Sequence, residues 1–294
     1  MKKLVPVIVI VVFLLSCQSR PSANDQSDTG SITFSLSEIW STGPIMRTPE
    51  SVLYDPSRNV LYVANMNRGE EGDDTGFISK LSTNGKVLDL HWITGLNEPR
   101  GMGLYDGFLF ATDMNRLLII DVDKGEVKKM VPVEGAVFLN DLAISEDGMV
   151  YFSDSRANKV QIYHNDEITD WLPAVEAPNG LYNEDDHMIV GAQGPGEIRR
   201  VSKETGEYDV MATGIRTDGI EYTGIDNYYI VSEWSGRIHI IGNDTVQSLL
   251  DTEKQKINTA DLGYDIKNKV VYVPTFFDNR IVAYKLVWIA LHDR

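Results

Sequence analysis

One short pattern recurs six times along the 294-residue chain, and its spacing leaves few folds open. Glu50-Ser-Val-Leu-Tyr, Arg100-Gly-Met-Gly-Leu, Asn140-Asp-Leu-Ala-Ile, Asn179-Gly-Leu-Tyr-Asn, Asp218-Gly-Ile-Glu-Tyr and Ala260-Asp-Leu-Gly-Tyr follow one another at intervals of 50, 40, 39, 39 and 42 residues. Each is followed by a turn signal such as Asp106-Gly107, Asp147-Gly148 or Asp226-Asn227, and then by a β-branched and aromatic run such as Val60-Leu-Tyr-Val, Val150-Tyr-Phe or Val270-Val-Tyr-Val. A second turn leads to a third strand, and fourth strands are visible at 87–93, 127–131, 168–172, 208–211 and 246–250. Six units of about 40 residues with four strands each specify an all-β, six-bladed β-propeller with four-stranded antiparallel blades. No window of 12 or more residues holds a 3.6-residue apolar period, so little helix is expected.

The last unit has no fourth strand of its own, whereas residues 32–40 form a strand without a blade. Glu38-Ile-Trp-Ser-Thr-Gly also resembles Leu90-His-Trp-Ile-Thr-Gly, the fourth strand of unit one. The N-terminal strand is therefore expected to complete the final blade and close the ring, with the propeller occupying residues 31–294. Ahead of it, Lys2 and Lys3 precede an apolar run from Leu4 to Leu15. That run is short of the roughly 20 residues a spanning helix needs, so residues 1–16 read as a signal peptide. Leu14-Leu15-Ser16-Cys17 looks like a lipobox, making Cys17 the lipidated first residue of an exported bacterial lipoprotein. Gln18 after the cysteine favours the outer membrane, facing the periplasm or the cell surface. Residues 17–30, rich in Ser, Asp, Gln and Pro, read as a flexible tether.

Cys17 is the sole cysteine, so neither a disulfide framework nor a cysteine-ligated metal is available. The formal charge of −16 argues against nucleic-acid binding and against docking on anionic lipid by charge. Membrane contact is expected through lipidated Cys17 only, and the chain is expected to be a monomer.

In a propeller the first strand of each blade lines the central channel, with its start at one mouth. Those starts carry Glu50, Arg100, Asn140, Asn179, Asp218 and Ala260, with Asp261 one step on. The loops between second and third strands rim the same mouth. Glu50, Asn140, Asn179 and Asp218 thus converge as two carboxylates and two amide carbonyls, a hard-oxygen set suited to Ca²⁺ or another divalent cation. A chain of waters is the alternative partner. Asn179-Gly180 and Asp218-Gly219 also read as hairpin turns, but each repeat places its own hairpin turn later.

At these residues the chain resembles the senescence marker protein, regucalcin and gluconolactonase (LRE-like) family, and more distantly the paraoxonases and diisopropyl fluorophosphatase. The resemblance rests on Glu50 in Pro-Glu-Ser, Asn140-Asp141, Pro178-Asn179-Gly180 and Asp218-Gly219, and runs over about residues 45–286. It implies a divalent cation held by Glu50, Asn179 and Asp218, with Asn140 touching metal or substrate, and hydrolysis of a small-molecule lactone or related ester. Asp218 is the candidate general base, and Asp218 and Asn140 are the catalytic candidates. Family members that take sugar lactones carry an arginine two residues before the blade-three asparagine, where this chain has Phe138. Arg100, Arg156 or Arg216 is a possible substitute, against a reading of all three as rim charges. Phe138, Trp234, Phe276 and Phe277 either make the mouth apolar or pack between blades.

None of the five histidines falls at a metal-motif position, and all read as structural. The loop 65–76 carries Glu70, Glu71, Asp73 and Asp74 and reads as a solvated loop, ahead of a lid or a second calcium site. Two other classes of function stay open: a non-catalytic, lipid-anchored propeller that binds a ligand or protein, and a strictosidine-synthase-like propeller, for which Glu233 is the one late glutamate to consider.

Overall fold

A computed structural model describes residues 32–68 and 74–290. Six four-stranded antiparallel sheets account for nearly all of them; five take their strands in chain order from the inside out, and the sixth ends on the N-terminal strand. The inner strands are Pro49–Asp55, Pro99–Tyr105, Leu139–Ile144, Pro178–Asn183, Thr217–Tyr222 and Gly263–Asp265. The only helical segments among the described residues are two single 3₁₀ turns, Glu253–Gln255 and Phe276–Asp278. The signal peptide, Cys17 and the tether lie outside the described residues, as do Glu70, Glu71, Asp73 and His292.

The ring closes as the spare strand requires. Ile32–Ser41 pairs antiparallel with Ile281–Ala290 and forms the outer edge of blade six. Its one deeply buried residue, Phe34, packs on Tyr228 with ring centroids 5.1 Å apart. Gln247 of blade five clamps the backbone on either side of that ring, accepting from Phe34 N at 3.0 Å and donating to Phe34 O at 2.6 Å. Phe34 thus joins the first strand to both final blades. Replacing a buried aromatic by alanine costs about 3–5 kcal/mol. Phe34→Ala should therefore lower the melting temperature by on the order of 10 °C; a shift of only a degree or two would mean the closure carries little of the fold's stability.

The period-two alternation of the strands explains how the core is divided. Second strands are apolar on both faces, and each face serves a different neighbour. Val60, Tyr62 and Ala64 join the cluster between blades one and two, while Leu61 and Val63 join the cluster between blades six and one. Six such clusters, one between each pair of adjacent blades, make a ring of core around a polar channel. Outer strands such as Glu126–Pro132 bury little and face solvent.

Blade six departs from the repeat. Its inner strand is only Gly263–Asp265, because Asp261 turns to pair with blade one: Asp261 N donates to Glu50 O at 2.9 Å, and Val52 N donates to Asp261 O at 3.2 Å.

Candidate metal and substrate site at the channel mouth

Every inner strand from blade one to blade five is irregular at the site position. The pairing with the second strand shifts between Pro49 and Ser51, Pro99 and Met102, Leu139 and Leu142, Pro178 and Leu181, and Thr217 and Ile220. A bulge bends the strand and re-aims its side chains, and Glu50, Arg100, Asn140, Asn179 and Asp218 sit in these five bulges. Asn179-Gly180 and Asp218-Gly219 are therefore inside strands and not hairpin turns. The glycines serve close approach: a Cβ on Gly219 would stand 2.4 Å from Asp261 Oδ1, and one on Gly180 would stand 2.5 Å from Asp218 O.

Polar side chains of one blade satisfy backbone groups freed by the bulge of the next. Ser155 donates to Pro178 O at 2.6 Å, Gln193 to Thr217 O at 2.8 Å and Ser232 to Ala260 O at 2.8 Å, while Thr112 donates to Asn140 O. The segments leading into the inner strands are tied from the ends of the second strands. Asp113 accepts from Glu98 N at 2.8 Å, Asp154 from Val137 N at 2.7 Å and Phe138 N at 2.9 Å, and Glu233 from Arg216 N at 3.3 Å. Asn65 accepts from Arg47 N at 2.9 Å in the same way. Apart from Glu233, these propping residues were not singled out from sequence, although they recur in the register of the site residues. Glu233, the late glutamate weighed above, has this structural task and also meets His239 Nε2 at 2.7 Å.

The four sequence candidates are all buried, and the contacts among them join Asn179 to Asp218 and set the Glu50 carboxyl within the influence of the Asp218 charge. Asn179 donates Nδ2 to Asp218 Oδ1 at 2.6 Å, and Asn140 donates Nδ2 to Ser155 Oγ at 3.1 Å. In both amides the nitrogen is committed to a protein acceptor, which leaves the carbonyl oxygen for a ligand. Glu50 Oε2 and Asp218 Oδ2 are buried without a hydrogen-bond partner. Burial raises both carboxyls, Asp218 to about 7, against the opposing effect of the Asn179 bond. Glu50 is pushed up further by the charges of Asp218 and Asp261, while Arg100 and Arg68 pull it back.

Two further acids, Asp141 and Asp261, flank the set and bind blade to blade. Asp141 accepts from Leu181 N at 2.7 Å, and Asp261 accepts from Ser51 Oγ at 2.7 Å. Burial raises both carboxyls. They belong to the channel, so the buried acids here exceed the two assigned from sequence. Deeper in, a cavity of about 310 Å³ runs between the inner strands past Asp141, Glu221 and Asp261, and burial lifts Glu221 to about 8.

This donor set fits a divalent cation. Two carboxylate oxygens without hydrogen-bond partners lie in a crowd of buried acids that Arg100 and Arg68 offset only in part, and the Asn179 amide is bonded to one of the two carboxylates. Among the described residues no three His, Cys, Asp or Glu side chains are grouped to hold a metal, so a cation here relies on Asn140 and Asn179.

The arginines divide sharply. Arg100 is 1% exposed and is no rim charge. It donates to Leu139 O at 2.9 Å, pairs with Glu98 at 2.5 Å, and lies 4.0 Å from the centre of the Phe138 ring. Arg156 approaches the same ring at 4.4 Å from the rim. On the opposite wall Trp234, Phe276 and Phe277 form a T-shaped trio with centroids 4.8–5.8 Å apart. Trp234 and Phe277 are 43% and 55% exposed, whereas Phe276 is buried against Met66 and Ala260. Phe276 holds φ at +48°, a costly backbone for an aromatic residue. In the acidic loop, Asp74 is exposed and its nearest cation is Arg116 at 3.8 Å.

No protein-family model matches the chain, and no curated protein matches it. Solved structures do. A catalytically inactive virginiamycin B lyase from Staphylococcus aureus with quinupristin is 15% identical, with a TM-score of 0.61 over 87% of this chain and 100% of the other. A streptogramin B lyase is 15% identical, with a TM-score of 0.62 over 87% and 98%. A nidogen/laminin complex matches at 14% identity and a TM-score of 0.59 over 70% and 81%. The likeness at such identities is one of fold, and propellers host unrelated activities.

Proposed function

We propose that the protein is a divalent-cation-dependent hydrolase, with calcium the first choice, acting on a lactone or related ester. The observation that carries this reading is the pair of buried, unpartnered carboxylate oxygens, Glu50 Oε2 and Asp218 Oδ2, beside the amides of Asn140 and Asn179. Glu50, Asn179 and Asp218 would hold the cation, with Asn140 at metal or substrate. When bound there, the ion supplies a Lewis acid for the ester carbonyl, a contribution of several kcal/mol.

The chain's own residues supply the rest. Asn179 fixes one oxygen of Asp218, leaving Oδ2 to accept the proton of an attacking water. Burial lifts that carboxyl to about 7 in the cation-free channel; a bound cation would lower it and keep Oδ2 ionised for this role at neutral pH. The water oxygen bonds to the carbonyl carbon, the bond to the leaving oxygen breaks, and the proton passes from Asp218 to that oxygen. Asn140, held by Ser155, orients the group that enters from the mouth. Export and anchoring through lipidated Cys17 complete the reading, and place the site outside the cytoplasm.

A panel of lactones, aryl esters and organophosphates assayed with and without a chelator tests it. Turnover that chelation abolishes and Ca²⁺ restores is the expected result. Cation binding without turnover across the panel would support the second reading, a non-catalytic anchored propeller, which Phe138 favours by standing where sugar-lactone enzymes keep an arginine.

A further inference from the structure

Among the described residues, the rim of the mouth carries cations without a carboxylate partner on a molecule that is otherwise rich in acids. With a net charge of −16, most arginines on the ring have a carboxylate in contact, as Arg58, Arg116, Arg200 and Arg237 do. Arg68 and Arg156 are exposed and pair with no carboxylate among the described residues. Both line a cavity of about 270 Å³ at the mouth, together with Glu98, Arg100 and Phe138. The single acid there, Glu98, is already answered by Arg100. Phe138 supports the arrangement from below, since its ring takes Arg100 at 4.0 Å and Arg156 at 4.4 Å and so holds the Arg156 guanidinium over the cavity.

Arg68 also joins the cavity to its surroundings. Its charge acts on Glu50, as does that of Arg100, and both arginines line this cavity. Its guanidinium stands 5.6 Å from the Phe276 ring, at the edge of the aromatic trio. An anion seated between Arg68 and Arg156 thus has the reactive centre on one side and an exposed apolar shelf on the other.

We propose that this cavity is an anion subsite in which Arg68 and Arg156 hold a carboxylate, and that the ligand is a carboxylate-bearing aryl or similarly apolar molecule whose body lies on Trp234 and Phe277. Guanidinium groups match the two oxygens of a carboxylate in a planar fork. Phe138, in place of an arginine, serves as the platform for an arginine from the neighbouring loop. Treating this ligand as a substrate rests on the hydrolase reading; the subsite itself does not.

Calorimetric titration of the full-length protein with phenylacetate and with phenylacetamide, in cation-free, low-salt buffer, separates the two questions because neither probe can turn over. Phenylacetate should bind at least about tenfold more tightly than the amide, as charge-assisted bonds require, and the preference should shrink as salt is added. The double variant R68Q/R156Q should erase the preference and leave phenylacetamide binding unchanged, whereas R216Q, on the rim of blade five, should preserve it. Equal binding of acid and amide, binding of neither, or a preference that survives R68Q/R156Q overturns the subsite. Loss of the preference in R216Q to the same extent also overturns it, since a diffuse field would then be responsible. Failure of the hydrolysis panel leaves every one of these outcomes readable.

Discussion

Asp218→Asn should reduce hydrolysis by about 10³-fold while leaving the protein folded and, without added cation, more resistant to heat. The size of the loss is that expected for removing a general base. The gain in stability follows from burial. Asp218 is 4% exposed, its Oδ2 has no partner, and desolvation holds its proton to about 7. An amide of the same shape carries no charge to desolvate, and its oxygen still accepts the Asn179 bond. Activity and stability should therefore move in opposite directions, which is the signature of a residue kept for function at a structural cost. Steady-state kinetics and thermal melts of the two proteins in chelator decide the matter. Unchanged turnover removes Asp218 from the mechanism, and a lower melting temperature would show that its carboxylate stabilises the empty channel.

The second large effect is on the dependence of stability on pH and cation. In the unfolded chain an aspartate ionises near 3.8, whereas Asp218 in the folded channel keeps its proton to about 7. Between those values the unfolded state binds fewer protons than the folded state, so the Asp218 contribution to stability should fall as pH rises from about 4 to about 7, and Glu221, lifted to about 8, should carry the fall past 7. Glu50, Asp141 and Asp261, raised in the same direction by burial and by each other, deepen the fall. Calcium should reverse it. At a hundredfold excess over its dissociation constant a ligand adds about 2.7 kcal/mol, which for a chain of this size is roughly 5–10 °C. Binding should also release protons at pH 6 and fewer at pH 8, a difference that calorimetry in buffers of unequal ionisation enthalpy measures directly. A melting temperature indifferent to calcium at pH 8 would remove the cation from this mouth.

Both expectations start from residues that could be picked out of the sequence, and the reason is local. A blade is a run of four short strands whose faces alternate with period two, so its pattern survives in any stretch of 40 residues and repeats when the blade repeats. The closing strand was legible because a ring of identical units leaves one unit short when one strand is spare. Glu50, Asn140, Asn179 and Asp218 were legible because a bulge at the head of each inner strand puts its residue at the same mouth.

What tertiary structure alone decided concerns distances between different blades. Arg100 reads in sequence as either a substrate-binding arginine or a rim charge, yet it is buried, with Glu98, the Leu139 carbonyl and the Phe138 ring around it. Asp141 and Asp261 read as neighbours of site residues, yet each spans to the next blade, and both add to the buried acid of the channel. The aromatic trio of Trp234, Phe276 and Phe277 divides into one that packs and two that are exposed. Local pattern records which face of a strand a side chain takes. It carries no record of which charge from another blade stands opposite, and among the described residues that pairing determines which carboxylate oxygens are left without a partner and which arginines lie buried against an acid.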